Sequence, residues 1–299
     1  MKNAIVITTI NEPTEAIFKF SNLSDWHLFI VGDLKTPENL YSNINCTYLT
    51  PDYQTKKYPN ISDEIGWNTS IRRNIGFIEA YRSGVEIIAL SDDDNIPLDN
   101  WGKDLTLGKE IEVDYYKTSN RIFDPMQATN YPYLWHRGYP IHEVALRRID
   151  KIERIKIKPL IQVDLWNGDP DIDALERLIF KPEVELKIKD RFCSNTISPF
   201  DSQNTFIHRN MMKYFMLVSE IGRVDDIWGS YMLQQKYRQD LPYIVYSYPS
   251  VYQKRNIHDL LQDFKSESYS YLNFDKFFNG TLDIYPRIQK LYNLYQSYF

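Results

Sequence analysis

The chain has only two cysteines in 299 residues, Cys46 and Cys193. That is too few for a disulfide framework, and their spacing does not suit zinc. A reducing compartment follows as the default, so a cytoplasmic location is expected. The chain also lacks a basic excess: 35 Lys+Arg stand against 40 Asp+Glu, for a net charge of −5. A broad nucleic-acid-coating face is thereby excluded, and no nucleic-acid partner is expected. Long hydrophobic runs are missing as well. The first apolar run ends at Asn11-Glu12-Pro13, too short for a signal segment or a membrane span, and no later run is longer. The five histidines, His27, His136, His142, His208 and His258, are scattered singly and read as structural. Internal repeats, low-complexity tracts and linkers are absent, which favours one domain. What is abundant is apolar and aromatic surface, at 43% and 15%, with 23 Tyr among the aromatics. A sizeable core follows, and Tyr rings suit stacking on sugars or bases.

The first hundred residues alternate strand and helix. Apolar runs at 4–10 and 27–33, and a short one at 47–49, read as strands. A helix is expected from about Trp67 to Ser83, with Ile71, Ile75 and Ile78 on one face and Gly84 just beyond its end. The strand at 86–90 follows at once and runs into Asp92-Asp93-Asp94. Apolar strands separated by helices predict a parallel sheet covered on both faces, with ligands beyond the carboxyl ends of the strands. Asn11, Asp33 and the triple aspartate lie at such ends. Further on, 124–140 reads as an ordered loop, and 154–158 and 184–189 as half-exposed strands. A helix is expected to start at Asp169 (N-cap) and Pro170 (N1), another to run from about Asp226 to Gln239. The tail from Ile257 reads as helical, its last apolar face formed by Ile288, Leu291, Tyr292 and Tyr295.

Three consecutive carboxylates at the end of a buried strand repel one another unless a cation sits among them. On extended backbone Asp92 and Asp94 face one way and Asp93 the other, an arrangement suited to a hard divalent cation that completes its shell with substrate phosphates. Arg72 and Arg73, near the start of the preceding helix, are placed to meet an anion such as a diphosphate. Of Asp225 and Asp226, one reads as a helix cap and the other as a general base. The turn at 166–171 explains Gly168 and Pro170 but leaves Trp166 over.

Six stretches in order then carry a resemblance: the strand ending in DDD (92–94), RGYP (137–140), LWNGDPDIDA (165–174), SPFDSQNTF (198–206), GRVDDIWGSYMLQ (222–234) and PSVYQKRNIHDLLQDF (249–264). Together they resemble the STELLO-like glycosyltransferases and, more distantly, the reversibly glycosylated polypeptides that include UDP-arabinopyranose mutases. The resemblance implies a GT-A-type glycosyltransferase fold: a Rossmann-like, mostly parallel sheet flanked by helices, with a helical C-terminal extension. Residues 1–255 would be the catalytic domain (1–100 the nucleotide half, 101–255 the acceptor and sugar half) and 256–299 the extension. It implies transfer of a sugar from a nucleotide-sugar donor, UDP-sugar favoured, to a hydroxyl of a carbohydrate or glycoconjugate acceptor, in surface polysaccharide or glycoconjugate synthesis. Thr8, Asn11 and Asp33 would hold the nucleoside, Arg72 would meet the phosphates, Asp92 and Asp93 would also belong to the nucleotide site, and Asp92 and Asp94 would bind Mn²⁺ or Mg²⁺. Trp166, Asn167, Asp169, Asp171 and Asn204 would line the sugar and acceptor pocket. Asp225 or Asp226 would deprotonate the acceptor in an inverting displacement, and Arg137 is carried as catalytic from the mutases. Homo-oligomerisation is left open.

The chain departs from the mutases at two places. A second arginine seven residues after Arg137 is replaced by Val144, and a late metal-shell histidine by Tyr246. A mutase on the same scaffold, a non-catalytic sugar-nucleotide-binding scaffold and a haloacid-dehalogenase-type phosphatase are the alternative readings; the last fits 92–96 superficially but places its aspartates on the first strand.

Overall fold

A computed structural model of the chain describes residues 2–256, 259–279 and 285–299. The first strands follow the apolar runs: β1 Asn3–Thr9, β2 Trp26–Gly32, β3 Thr47–Leu49 and β4 Ile87–Ser91. All four run parallel, in the order β3-β2-β1-β4. The helices α1 Glu15–Ser21, α2 Pro51–Lys57, α3 Pro59–Ile65 and α4 Arg73–Arg82 connect them. Thr14 caps α1, its Oγ1 accepting from the Ile17 amide at 3.3 Å. Helix α4 lies close on the sheet because Gly76 faces it: a Cβ there would stand 2.5 Å from Val6 Cγ1 and 2.6 Å from Val31 Cγ2. Gly84, at φ +82°, follows the helix as its position predicts.

Helix α4 begins six residues later than expected from Trp67. The carboxylate of Asp33 accepts from the amides of Asn68 (2.9 Å) and Thr69 (3.1 Å), with Asn68 at φ +59°, and so holds this stretch as a loop. A single 3₁₀ turn at Ser70–Arg72 then leads into the helix.

The remaining strands are β5 Asn95–Pro97, β6 Ile111–Lys117, β7 Lys151–Ile157, β8 Ile161–Gly168, β9 Phe192–Ser194, β10 Asn204–His208 and β11 Ile244–Gln253. They extend the same sheet beyond β4 in the order β10-β8-β11-β9-β6-β7, with β5 paired to β11. Strand β10 is antiparallel to both neighbours, so directions mix in this half. Residues 124–140 form an ordered loop, fixed by the buried Asp124 carboxylate, which accepts from the amides of Met126 and His136. Residues 184–189 make only isolated bridges, Val184 to Gly168 and Ile188 to Thr129, instead of the expected strand.

Helix α5, Ala174–Phe180, also starts later than expected. Its N-cap is Asp173, in a capping box with Glu176, and not Asp169. The Asp169 amide is spent on the Gln253 carbonyl, and Gly168, at φ +87°, turns the chain before the helix can begin. After the one-turn α6, Arg209–Met212, come α7 Asp225–Lys236, α8 Leu260–Phe278 and α9 Pro286–Gln296. The expected start of the tail, Ile257 and His258, lies outside the described residues. Ile288, Leu291, Tyr292 and Tyr295 are buried as their spacing predicts, in the same apolar cluster as α4, and Phe277 stacks on Trp228 at 3.9 Å. The class is thus mixed α/β with a large central sheet and a helical C-terminal part. Among the described residues no helix is long and apolar enough to cross a membrane.

Candidate active site

The carboxyl ends of β1, β2 and β4 open onto a cleft with two main lobes. One, of about 380 Å³, is lined by Thr8, Thr9, Asn11, Asp33, Lys35 and Asn68. The other, of about 470 Å³, is lined by Asp92, Asp93, Asp94, Asp225, Asp226 and Arg255. Asn68, Thr69, Ser70, Arg73 and Asp93 line both. Four arginines (73, 137, 223 and 255) and five aspartates (92, 93, 94, 225 and 226) line the larger lobe, so it holds groups for an anion and for a cation side by side.

The triple aspartate divides its work. Asp93 turns aside: its carboxylate accepts from Thr9 Oγ1 and from Asn11 Nδ2 (2.8 Å), which ties the tip to the end of β1. Asp92 gives one oxygen to Arg73, whose Nη1 also donates to Ser202 Oγ at 2.7 Å. Asp94 accepts a long bond from the Asn256 amide (3.4 Å), while its Oδ1 is buried with no partner. Burial, with Asp92 and Asp93 alongside, pushes the Asp94 carboxyl up to about 7. An orphaned carboxylate oxygen beside a second carboxylate fits a hard divalent cation. Asp92 would have to share such an ion with Arg73.

Arg72, expected at the phosphates, is placed elsewhere. It is fully buried, donating to Gln54 Oε1 (2.7 Å), Ser62 Oγ (2.8 Å) and the Gly66 carbonyl (2.6 Å), with the Trp67 ring 3.4 Å away. Burial lowers it to about 10. The 3₁₀ turn at Ser70–Arg72 sends successive side chains to different sides, and Arg73 is the one that reaches the cleft.

Asp225 and Asp226 both line the cleft but in different states. Asp226 is saturated: Arg137 donates to both its oxygens at 3.1 Å, and the amides of Ser202 and Ile227 donate at 2.9 Å. Asp225 is half-buried, accepts from Ser70 Oγ at 2.6 Å, and is pushed up to about 6 by burial and by Asp226. Neither carboxylate is the N-cap of α7. That position belongs to Val224, and the two acids occupy the first turn. Arg137 is clamped on every side, by Asp226, by the Arg223 carbonyl and, through Nε, by Asp171 at 2.7 Å.

Of the residues expected to bind sugar, the structure brings none into the two main lobes. Trp166 is 1% exposed in the core, and Asn204 is a buried knot joining Trp101 Nε1, the Leu165 carbonyl and Ser250 Oγ. Asn167 accepts from the Leu186 amide. Asp169 pairs with Arg177 and lines a smaller neighbouring pocket, and Asp171 lies beneath Arg137. Thr8 donates to the Val31 carbonyl at the mouth of the smaller lobe. Asp33, at the same lobe, spends its carboxylate on the amides of Leu34, Asn68 and Thr69. Ser202, Gln203, Arg255 and Asn256 line the cleft without having been singled out, although all four fall inside the quoted stretches 198–206 and 249–264.

No protein-family model matches the chain. It is similar to two Arabidopsis thaliana proteins, "Probable glycosyltransferase STELLO1" and "Probable glycosyltransferase STELLO2". Identity is 23% and 24% over 259 residues, covering 77% of this chain and 33% of each relative. By sequence the chain is thus similar to the STELLO-type probable glycosyltransferases. It spans about a third of the length of these curated relatives. Among solved structures, the Mycobacterium tuberculosis glucosyl-3-phosphoglycerate synthase is similar at 9% identity and a TM-score of 0.46, over 91% of this chain and 80% of that one. The same enzyme with Mg²⁺ and uridine diphosphate gives 7% identity and 0.43, over 96% and 79%.

Proposed function

We propose that the chain is a nucleotide-sugar glycosyltransferase with a divalent-metal requirement. The observation that carries this reading is the pairing, in one cleft at the strand ends, of the half-freed Asp94 carboxylate with Arg73 and Arg255. The smaller lobe, with Lys35 and Asn68 at its wall, takes the nucleoside, and the diphosphate crosses to the larger lobe. Asp94, with Asp92, would hold Mn²⁺ or Mg²⁺, which supplies neutralisation of the leaving diphosphate. Arg73 meets the same developing charge from a fixed position, the main electrostatic task of the reaction. Asp225 accepts the proton of the acceptor hydroxyl as the new bond to the anomeric carbon forms and the bond to the diphosphate oxygen breaks. A positioned base of this kind contributes about 10²–10⁴-fold. The division of the catalytic region into a nucleotide half at 1–100 and a sugar half at 101–255 is part of this proposal.

The mutase reading gains no support from the site. A self-glycosylated arginine needs an accessible nitrogen, and the Arg137 guanidinium is 5% exposed and engaged by two carboxylates. Tyr246, in the place of the late histidine, is buried, its hydroxyl against Ser198 and Pro199 and its ring stacked on Phe192. The phosphatase reading needs an aspartate at the end of β1, where Thr8, Thr9 and Asn11 stand instead.

The test is a melting-temperature screen of UDP- and GDP-sugars with and without Mn²⁺, followed by product analysis of any donor that binds. A metal-dependent upward shift with release of nucleoside diphosphate supports the reading. No shift with any nucleotide overturns it, and ring isomerisation without diphosphate release would replace it by the mutase.

A further inference from the structure

Behind the cleft wall lies a second group of metal-ligating side chains that the transfer reaction does not use. His136, Asp171 and Asp201 are 0%, 0% and 1% exposed, and one ligand atom from each lies within 4.8 Å of one from the others. None of the three lines the cleft that holds Asp92 and Asp94. His136 Nε2, Asp171 Oδ2 and Asp201 Oδ2 are all buried without a hydrogen-bond partner. A lone orphan can be tolerated; three in one place leave three buried polar atoms with no hydrogen-bond partner among them.

The chemistry of each group fixes what is missing. His136 Nδ1 sits 2.9 Å from the Arg137 carbonyl, which can only accept, so Nδ1 carries the proton and Nε2 presents its lone pair. This is the arrangement by which a backbone carbonyl orients a metal-binding imidazole. Nε2 lies 3.7 Å from Asp201 Oδ2, too far for a hydrogen bond between them. Two ligand atoms held about 2.1 Å from a tetrahedral ion lie roughly 3.4 Å apart, so the separation suits a shared cation with little adjustment. Asp201 forms no ion pair with Lys or Arg among the described residues, and its other oxygen is spent on the Gln203 amide at 3.0 Å. Asp171 has Arg137 at its Oδ1 at 2.7 Å and Arg255 at 3.7 Å from the same oxygen, which leaves Oδ2 for the centre of the group. The Trp166 ring packs edge-on against His136 at 5.6 Å.

We infer that His136, Asp171 and Asp201 bind one buried divalent transition-metal ion, separate from the ion proposed at Asp92 and Asp94. One imidazole nitrogen with two carboxylate oxygens suits Zn²⁺, Co²⁺ or Fe²⁺ better than Mg²⁺. Asp201 faces the ion with no Lys or Arg partner among the described residues, while Asp171 shares its charge with Arg137 and Arg255. The three ligands come from the 124–140 loop, the turn before α5 and the segment before β10. The ion therefore staples together the segments that deliver Arg137, Ser202 and Gln203 to the cleft, a positioning role.

The test is metal content by mass spectrometry on protein purified from Zn²⁺-supplemented medium, with Co²⁺ absorption spectra of the metal-stripped chain. The expected result is about one equivalent in the wild type, retained in Asp94→Asn and lost in both Asp201→Asn and His136→Gln. Co²⁺ should give ligand-field bands in the wild type and in Asp94→Asn alone. Metal loss in Asp94→Asn with retention in Asp201→Asn would place the ion at the acidic tip and overturn this inference while leaving the proposed function standing. A wild type with neither bound metal nor Co²⁺ bands overturns it outright, whether or not the variants fold.

Discussion

Ser70 Oγ donates a 2.6 Å hydrogen bond to the Asp225 carboxylate, joining the turn before α4 to the first turn of α7. Both line the larger lobe, so the acid that makes no hydrogen bond to Arg137 is steadied by the turn that leads into α4. The bond lowers a carboxyl that burial and Asp226 have raised. As a base, Asp225 works only when ionised, so kcat/KM should fall as pH drops below about 6. Removing the donor in Ser70→Ala should move that acid limb to higher pH. Asp225→Asn should cost about 10²–10⁴-fold in kcat while leaving the nucleotide-induced melting shift in place. A pH–rate profile with no limb in this region, or unchanged turnover in Asp225→Asn, removes the base assignment.

Asp226→Asn should behave differently, because its carboxylate is the other half of a buried pair with Arg137. The substitution leaves Arg137 with Asp171 as its one carboxylate partner and gives the amides of Ser202 and Ile227 a weaker acceptor, at about 1–3 kcal/mol. Denaturant unfolding should show that loss for Asp226→Asn and little for Asp225→Asn. Equal stability of the two variants would mean that the pair contributes nothing to the fold.

The contrast shows what a sequence can and cannot convey at this site. The first strands, the triple aspartate at the end of β4 and the inward face of α9 were legible because apolar periodicity reports burial directly. The alternation expected of an extended triple aspartate is replaced by a turn at Asp93-Asp94, although the Asp93 carboxylate does go to Thr9 and Asn11 and not to Arg73. Trp166, Asn167 and Asn204 were not legible: a polar or aromatic residue in a conspicuous motif looks the same whether it knots the core or meets a ligand. The choice between Arg72 and Arg73 was hidden for a related reason. It depends on the Asp33 carboxylate delaying the helix, a contact 35 and 36 residues away in the chain. His136 read as a lone structural histidine because its meeting with Asp171 and Asp201 depends on loops that no local pattern predicts.

That choice can be tested directly. Arg72→Met leaves Gln54 Oε1, Ser62 Oγ and the Gly66 carbonyl buried without their donor, at about 1–3 kcal/mol for each. It should lower the melting temperature strongly and leave nucleotide affinity in the folded fraction alone. Arg73→Gln removes a charged donor at the cleft and should weaken nucleotide binding by about 1.5–3 kcal/mol, roughly ten- to a hundredfold in Kd. Calorimetric titration with nucleoside diphosphate and Mn²⁺ separates the two. A larger affinity loss in Arg72→Met would restore Arg72 as the phosphate ligand.

Asp94 gives the pH dependence of metal binding. Its carboxyl is raised from 3.8 to about 7 in the folded chain, so the folded state holds a proton there that the unfolded state has already released. That contribution to stability is fully present below the unfolded value and is lost as pH rises through about 7. Without metal, the wild type should therefore lose stability on going from pH about 5 to about 8, and Asp94→Asn should lose less. Mn²⁺ competes with the same proton, so its apparent affinity should climb up to tenfold per pH unit below about 7 and level off above. The melting-temperature increment at fixed Mn²⁺ should follow that climb in the wild type and vanish in Asp94→Asn. An increment independent of pH, or one that survives in Asp94→Asn, would mean that the ion binds without this carboxylate, and the acidic tip would lose its place in the transfer reaction.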